Sequence, residues 1–214
     1  MKQQIKKFFI QNLKWIVLFI SILGFLILVK NIINGKIITI DTKGYQIIST
    51  YLISDVMTPI AKIITNLGGV YWLLGETILF LVIIKNKKLS LTILLNLCLI
   101  TLMNYTLKQI FQRPRPIEYR IINESGYSLP SGHSMVSMAF YGYLIYLIYK
   151  NVKNEHLKRC LILFLSILII SIGISRVYLG VHYTSDVLAG FLAAISYLII
   201  YIFFLKKLLN FDNL

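Results

Sequence analysis

The chain is 214 residues long, 57% hydrophobic and only 14% charged, with a mean hydropathy of +0.77, a balance that excludes an ordinary soluble domain. Its net charge of +14 would suit nucleic acid, but the lysines stand in short runs at the ends of apolar segments rather than along one polar face, so the charge reads as membrane topology. Cys98 and Cys160 lie in an apolar run and beside a lysine-rich loop, which reads as two free thiols and excludes a secreted disulfide framework.

The first apolar run, Trp15 to Ile33, follows a basic start like that of a signal peptide. No alanine precedes Ala61 and no small-residue cleavage pattern follows, so the segment is expected to be retained as a span. Next comes DTKGYQIISTYLISDVMTPIAKIITNLGG, too polar to cross a bilayer but carrying Ile47, Ile48, Tyr51 and Leu52 at helical spacing. Short amphipathic helices on the outer face, broken before Pro59, are predicted there. Five further spans are read at Gly68 to Ile84, Leu89 to Lys108, Pro130 to Tyr149, Leu161 to Ser175 and Tyr183 to Leu205, the fifth extending past Arg176. The fold class is thus all-α: a six-helix membrane bundle forming one domain over residues 1–214.

Lysine and arginine set its orientation, because positive loop residues are retained in the cytoplasm. With the N-terminus inside, inner segments hold 13 such residues, from Lys2, Lys6, Lys7 and Lys14 to Lys206 and Lys207, and outer segments hold 9, including Lys30, Lys36, Lys43 and Lys62. Both termini are therefore placed inside a cytoplasmic membrane. The remaining outer cations gather after the third span and around the fifth.

Three clusters fall on that outer side. In KQIFQRPRP two prolines end the third span and present arginines from a stiff turn; alone these would read as snorkelling cations. PSGHS opens the fourth span with backbone amides and a helix dipole suited to phosphate, though by itself it is equally a plain helix cap. SRVYLGVHYTSD places His182 and Asp186 four apart, on one face, where a carboxylate can fix a histidine tautomer and prepare a nucleophile. Together they describe a site for a phosphate ester with no metal-ligand set beside it. His156 sits in the lysine-rich inner loop and reads as solvated.

The spacings KxxxxxxRP at Lys108, Arg115 and Pro116, PSGH at Pro130 to His133, and SRxxxxxHxxxD at Ser175, Arg176, His182 and Asp186 resemble the type 2 phosphatidic acid phosphatase (PAP2) family in its bacterial six-span branch. The resemblance implies a metal-independent lipid phosphatase without cofactor. Lys108, Arg115, Arg176, Ser131 and Gly132 would hold the phosphate. His182 would attack phosphorus to give a phosphohistidine, Asp186 would orient it, and His133 would serve the leaving oxygen and then water. A site at the outer interface implies a lipid headgroup as substrate, such as undecaprenyl diphosphate or phosphatidylglycerophosphate, with the bilayer as the only obligatory partner and no nucleic acid. Transfer to another acceptor, or silent lipid binding on the same scaffold, are the competing functions; the intact histidines speak against silence.

Some residues lie outside these motifs. Arg113 is expected either to meet a second phosphate or headgroup anion, favouring a diphosphate such as undecaprenyl diphosphate or a two-phosphate lipid such as phosphatidylglycerophosphate, or to be a surface cation. Glu76, mid-span, is expected to be protonated and bonded to a neighbouring helix. Thr92, Asn96, Asn104 and Lys108 form a polar stripe that should face the interior, as Glu76's partner or as interhelical glue, and Gly190 and Ala194 suggest close packing of the last span.

Overall fold

The computed structural model describes residues 2–33 and 38–209, with side chains from Asn12 to Leu208; Lys36 and the side chains of Lys2, Lys6 and Lys7 lie outside them. Eight helices follow in order: α1 (Lys2–Ile33), α2 (Thr39–Tyr51), α3 (Met57–Leu67), α4 (Val70–Ile83), α5 (Lys87–Phe111), α6 (Gly132–Asn151), α7 (Glu155–Tyr178) and α8 (Thr184–Leu209). No strand occurs among the described residues. Four stretches are long and apolar enough to cross a membrane: Asn12–Ile33, Lys87–Phe111, Glu155–Tyr178 and Thr184–Leu208.

A helix stands at each of the six expected spans, and two of them depart from a straight, strongly apolar one. At 14 residues, α4 is about 21 Å long, short of a bilayer core of about 30 Å, and it qualifies only as a bent pair with α3, the two meeting at 49° across Gly68 and Gly69. The polar amphipathic segment therefore runs into the second span instead of lying apart from it. α6 is long enough at 20 residues, but its sequence is not apolar enough to join the four. Its place in the bundle explains the composition: it packs on α5, α7 and α8, burying Ser134, Ser137, Tyr141 and Tyr143. A helix shielded by its neighbours can carry hydroxyls that a lipid-facing one cannot.

Helix ends follow local chemistry. Asn86 caps α5 through its side chain, which accepts from the Lys88 and Leu89 amides, and Asn154 caps α7 by accepting from Leu157. α5 ends at Gln112, in a left-handed conformation ahead of Pro114 and Pro116. The α7–α8 turn needs glycine at position 180, where φ is +69° and a Cβ would stand 2.0 Å from the Tyr119 carbonyl oxygen.

The core gathers Leu73, Ile93, Ile100, Met135, Phe140 and Ile172 around α6. The α5 stripe does face inward. Thr92 bonds the Tyr143 hydroxyl at 2.7 Å, and Asn96 and Asn104 donate to the Ala139 and Pro130 carbonyls at 3.1 and 3.4 Å. It ties α5 to α6, whereas Glu76 accepts from Trp72 on its own helix at 2.7 Å and from Tyr141 of α6 at 3.4 Å. The stripe is thus glue and not Glu76's partner. Gly190 lets α8 approach the start of α6, where a Cβ would lie 3.0 Å from the Ser131 carbonyl oxygen.

Candidate active site

One end of the bundle collects all three clusters. Lys108 stands in the last turn of α5, Arg113 and Arg115 in the proline-stiffened turn after it, and Gly132 and His133 in the first turn of α6. Arg176 lies in the last turn of α7, His182 in the α7–α8 turn and Asp186 in the first turn of α8.

His182 is the centre of this arrangement and is buried. Arg115 places its NH1 3.0 Å from Nε2, and a guanidinium can only donate, so Nε2 is the bare nitrogen and Nδ1 carries the proton. That proton faces Ser128 Oγ at 3.4 Å and Asp186 Oδ2 at 3.6 Å, and Ser128 in turn donates to the same Oδ2. The free lone pair of His182 thus sits on the side of Arg115. Burial pushes the His182 imidazole down to about 3, against the opposing pull of Asp186, so the ring is neutral at ordinary pH.

Arg115 and Lys108 are held by neutral carbonyl groups that leave their charge uncancelled, whereas Arg176 is paired with an acid. Arg115 donates from Nε to the Ser125 and Gly126 carbonyls at 3.2 and 3.1 Å and from NH1 to the Val181 carbonyl at 3.0 Å. Lys108 donates to the Tyr127 carbonyl. Arg176, only 1% exposed, reaches Thr65 Oγ1 at 2.7 Å and Glu124 Oε2 at 2.7 Å, while its Nε has no partner. Burial works to raise the Glu124 carboxyl, but the Arg176 guanidinium outweighs it and holds the group below its usual range.

Two expected anion contacts are corrected by the geometry. Ser131 does not open toward the site: its amide donates to the Asp186 carbonyl at 3.0 Å, and its hydroxyl accepts from the Ser134 amide at 3.5 Å as the α6 cap and from Ser134 Oγ at 2.9 Å. Its part is to fasten α6 to α8. Arg113 turns inward. It is 9% exposed and pairs with Asp186 Oδ1 at 2.6 Å and Asp41 Oδ2 at 2.9 Å, so it is neither a surface cation nor free for a headgroup. Asp41, Glu124 and Ser128 escape the sequence reading altogether. Asp41 is the single acid of α2 and Glu124 one of two acids, with Glu118, in a loop that also carries three arginines, which is all the signal the chain offers.

A cavity of about 690 Å³ begins at Lys108, Arg115, Glu124, Gly132, His133 and His182 and continues between α4 and α5. There its wall is apolar, with Leu73, Leu97 and Val136 inside and Val70, Leu74, Leu102 and Tyr105 at an exposed rim. Both histidines line it, and Gly132, with no Cβ, keeps its upper end open beside Asn104 and Lys108. A second cavity of about 360 Å³ touches the other side of Arg115 and His182, between α2 and the Pro114–Tyr119 segment.

Residues 88–209 match the family model of the PAP2 superfamily. Phosphatidylglycerophosphatase B of Bacillus subtilis (strain 168) is 39% identical over 92 residues, 42% of this chain, and that match spans only 45% of the relative's length. The crystal structure described as the first transmembrane PAP2 type phosphatidylglycerolphosphate phosphatase from Bacillus subtilis superposes with a TM-score of 0.76 at 28% identity, covering 88% of this chain and 95% of that one. LpxE of Aquifex aeolicus shares the fold with a TM-score of 0.65 at 22% identity, over 78% and 96% of the two chains.

Proposed function

The chain belongs to the PAP2 superfamily, and from that premise we propose that it hydrolyses a lipid phosphate monoester through a phosphohistidine on His182. The observation that carries this is the cavity: His182, Lys108 and Arg115 stand at its head, and an apolar channel leads from them between α4 and α5. A polar headgroup bound at the head leaves its hydrocarbon in that channel, as only an amphiphile can.

In the first step Arg115 leaves Nε2 for the phosphate oxygens, joining Lys108, Arg176 and the first-turn amides of α6. Nε2 attacks phosphorus, the bond from phosphorus to the lipid oxygen breaks, and His133 protonates that oxygen. Asp186 balances the charge gained by the ring. In the second step His133 takes a proton from water, the hydroxide attacks phosphorus, the P–N bond breaks and phosphate leaves. Glu124, now on Arg176, is displaced by the incoming anion and reseats after release.

With Arg113 paired inward, the argument for a contact to a second phosphate loses its residue, and the remaining cations suit one terminal phosphate monoester, whatever else the headgroup carries. The relatives named for phosphatidylglycerophosphate support that lipid ahead of undecaprenyl diphosphate. The excess of inner lysines supports a site on the outer leaflet of the cytoplasmic membrane. Purified protein is expected to release phosphate from phosphatidylglycerophosphate faster than from undecaprenyl diphosphate or phosphatidate, with or without EDTA. His182→Ala is expected to lose activity by roughly a thousandfold or more; a variant that retains it refutes the phosphohistidine.

A further inference from the structure

Behind His182, away from the larger cavity and bordering the smaller one at Asp41 and Tyr183, lies a buried network that no phosphate contact explains. Arg113 uses one nitrogen, NH1, for Asp186 Oδ1 at 2.6 Å and Ser185 Oγ at 2.8 Å, and the other, NH2, for Asp41 Oδ2 at 2.9 Å. The second Asp41 oxygen accepts from the Ser185 amide at 2.8 Å, which clamps α2 onto the first turn of α8. The Tyr183 ring lies 4.0 Å from the guanidinium carbon and fixes its plane. Asp41 is 3% exposed and Asp186 fully buried.

We propose that Arg113 and Asp41 are positioning residues for the reaction, holding the Asp186 carboxylate so that Oδ1 is occupied from behind and Oδ2 is kept for His182. The division of the two oxygens is complete. Oδ1 receives Arg113, while Oδ2 receives Ser128 and, at 2.9 Å, the Tyr183 amide, and faces His182 Nδ1. A carboxylate bonded on both sides cannot rotate, and the cation behind it lets it stay ionised in a buried place without drawing the proton from Nδ1. The requirement is for a fork: two carboxylates on different helices are bridged by two nitrogens of one planar group, which a lysine cannot reproduce.

This inference rests on the proposed phosphohistidine, and its test separates the two. Full-length Arg113→Gln, Arg113→Lys and Asp41→Asn are assayed in detergent with phosphatidylglycerophosphate for kcat, KM and inhibition by inorganic phosphate, each normalised to the folded fraction. The glutamine variant is expected to lose kcat by about ten- to a hundredfold, the lysine variant nearly as much despite its charge, and Asp41→Asn about three- to tenfold. KM and phosphate inhibition stay within about twofold, since neither residue meets the anion.

The acid limb of kcat/KM in Arg113→Gln is expected to move to higher pH. Removing the cation strengthens the field of Asp186 at His182, whose other charged and titratable neighbours, Arg115, Arg176, Glu124, Lys108 and His133, are unchanged. Unaltered kcat per folded molecule, full rescue by lysine, or phosphate inhibition weakening in step with kcat each overturns the inference. Should Arg113→Gln fail to fold, Asp41→Asn carries the same test, because it keeps the shape and an acceptor for Ser185 while turning a donor on Arg113. Absence of phosphatase activity in the unmodified protein, or its survival in His182→Ala, strikes the proposed function instead.

Discussion

Arg113 and Arg115 leave the same proline-stiffened turn two residues apart and go to opposite sides of one histidine. Arg115 is met by three backbone carbonyls and the bare Nε2, none of which carries a full charge, so its own charge remains available to an anion. Arg113 is met by two carboxylates and is spent on them. The front of His182 is therefore a cationic cradle with one displaceable acid, Glu124, and the back is a closed ion network. What separates these two arginines is the formal charge of their partners, since both are buried to a similar degree, 9% and 8% exposed.

The largest expected effect breaks the comparison at its front. Arg115→Ala is expected to lower kcat/KM by about a hundred- to a thousandfold and to weaken inhibition by inorganic phosphate in parallel. The same assay on Arg113 variants shows kcat falling with phosphate inhibition retained, while thermal stability drops by about 3 kcal/mol or more as two buried carboxylates lose their cation. Matching inhibition profiles for the two positions would erase the distinction between front and back.

A smaller change sharpens the front. Glu124→Gln removes the carboxylate paired with Arg176, at a side chain 31% exposed, and inorganic phosphate is expected to inhibit about threefold more tightly. Unchanged inhibition would mean that Glu124 does not compete with the anion.

Acidity tests the depth of the site. His182 is held down at about 3, whereas in an unfolded chain it titrates near 6.5. Between those values the unfolded chain binds a proton that the folded one does not, so stability is full above about pH 6.5 and falls as pH drops toward 3. Melting temperatures across that window are expected to decline, and His182→Gln to flatten the decline.

The smallest effect lies farthest from both sides. Glu76→Gln keeps the acceptor for Trp72 and Tyr141 and supplies an amide where Oε2 has no partner, so phosphate release is expected to stay within about twofold. A loss beyond tenfold would draw this intramembrane acid into the chemistry.

Fixed spacing made the front legible from sequence. Lys108, Arg115, His133, Arg176, His182 and Asp186 stand at helix ends, where hydropathy already marks the boundaries, and the positive turn residues fall beside them. The back was not legible. Asp41 meets Arg113 across 72 positions and Ser185 across 144, through the folding of α2 over the end of the bundle, which no local pattern records. Arg113 was misread for the same reason, its direction being decided by an acid far away in the chain. The polar stripe of α5 was placed inward by its period of four, but its partner was another matter: Tyr143, Ala139 and Pro130 take its bonds, and only packing could say so. The bend between α3 and α4 hid in Gly68 and Gly69, a pair that reads equally as a loop before a span.

The exposed rim of the large cavity, between α4 and α5, has a consequence for how speed is to be counted. A substrate that enters there arrives by sliding within the bilayer plane, so the enzyme senses molecules per unit of membrane area and not per litre. Diluting the lipid with an inert amphiphile at constant bulk concentration then slows turnover, and the abundance of neighbouring lipids becomes a throttle on the reaction.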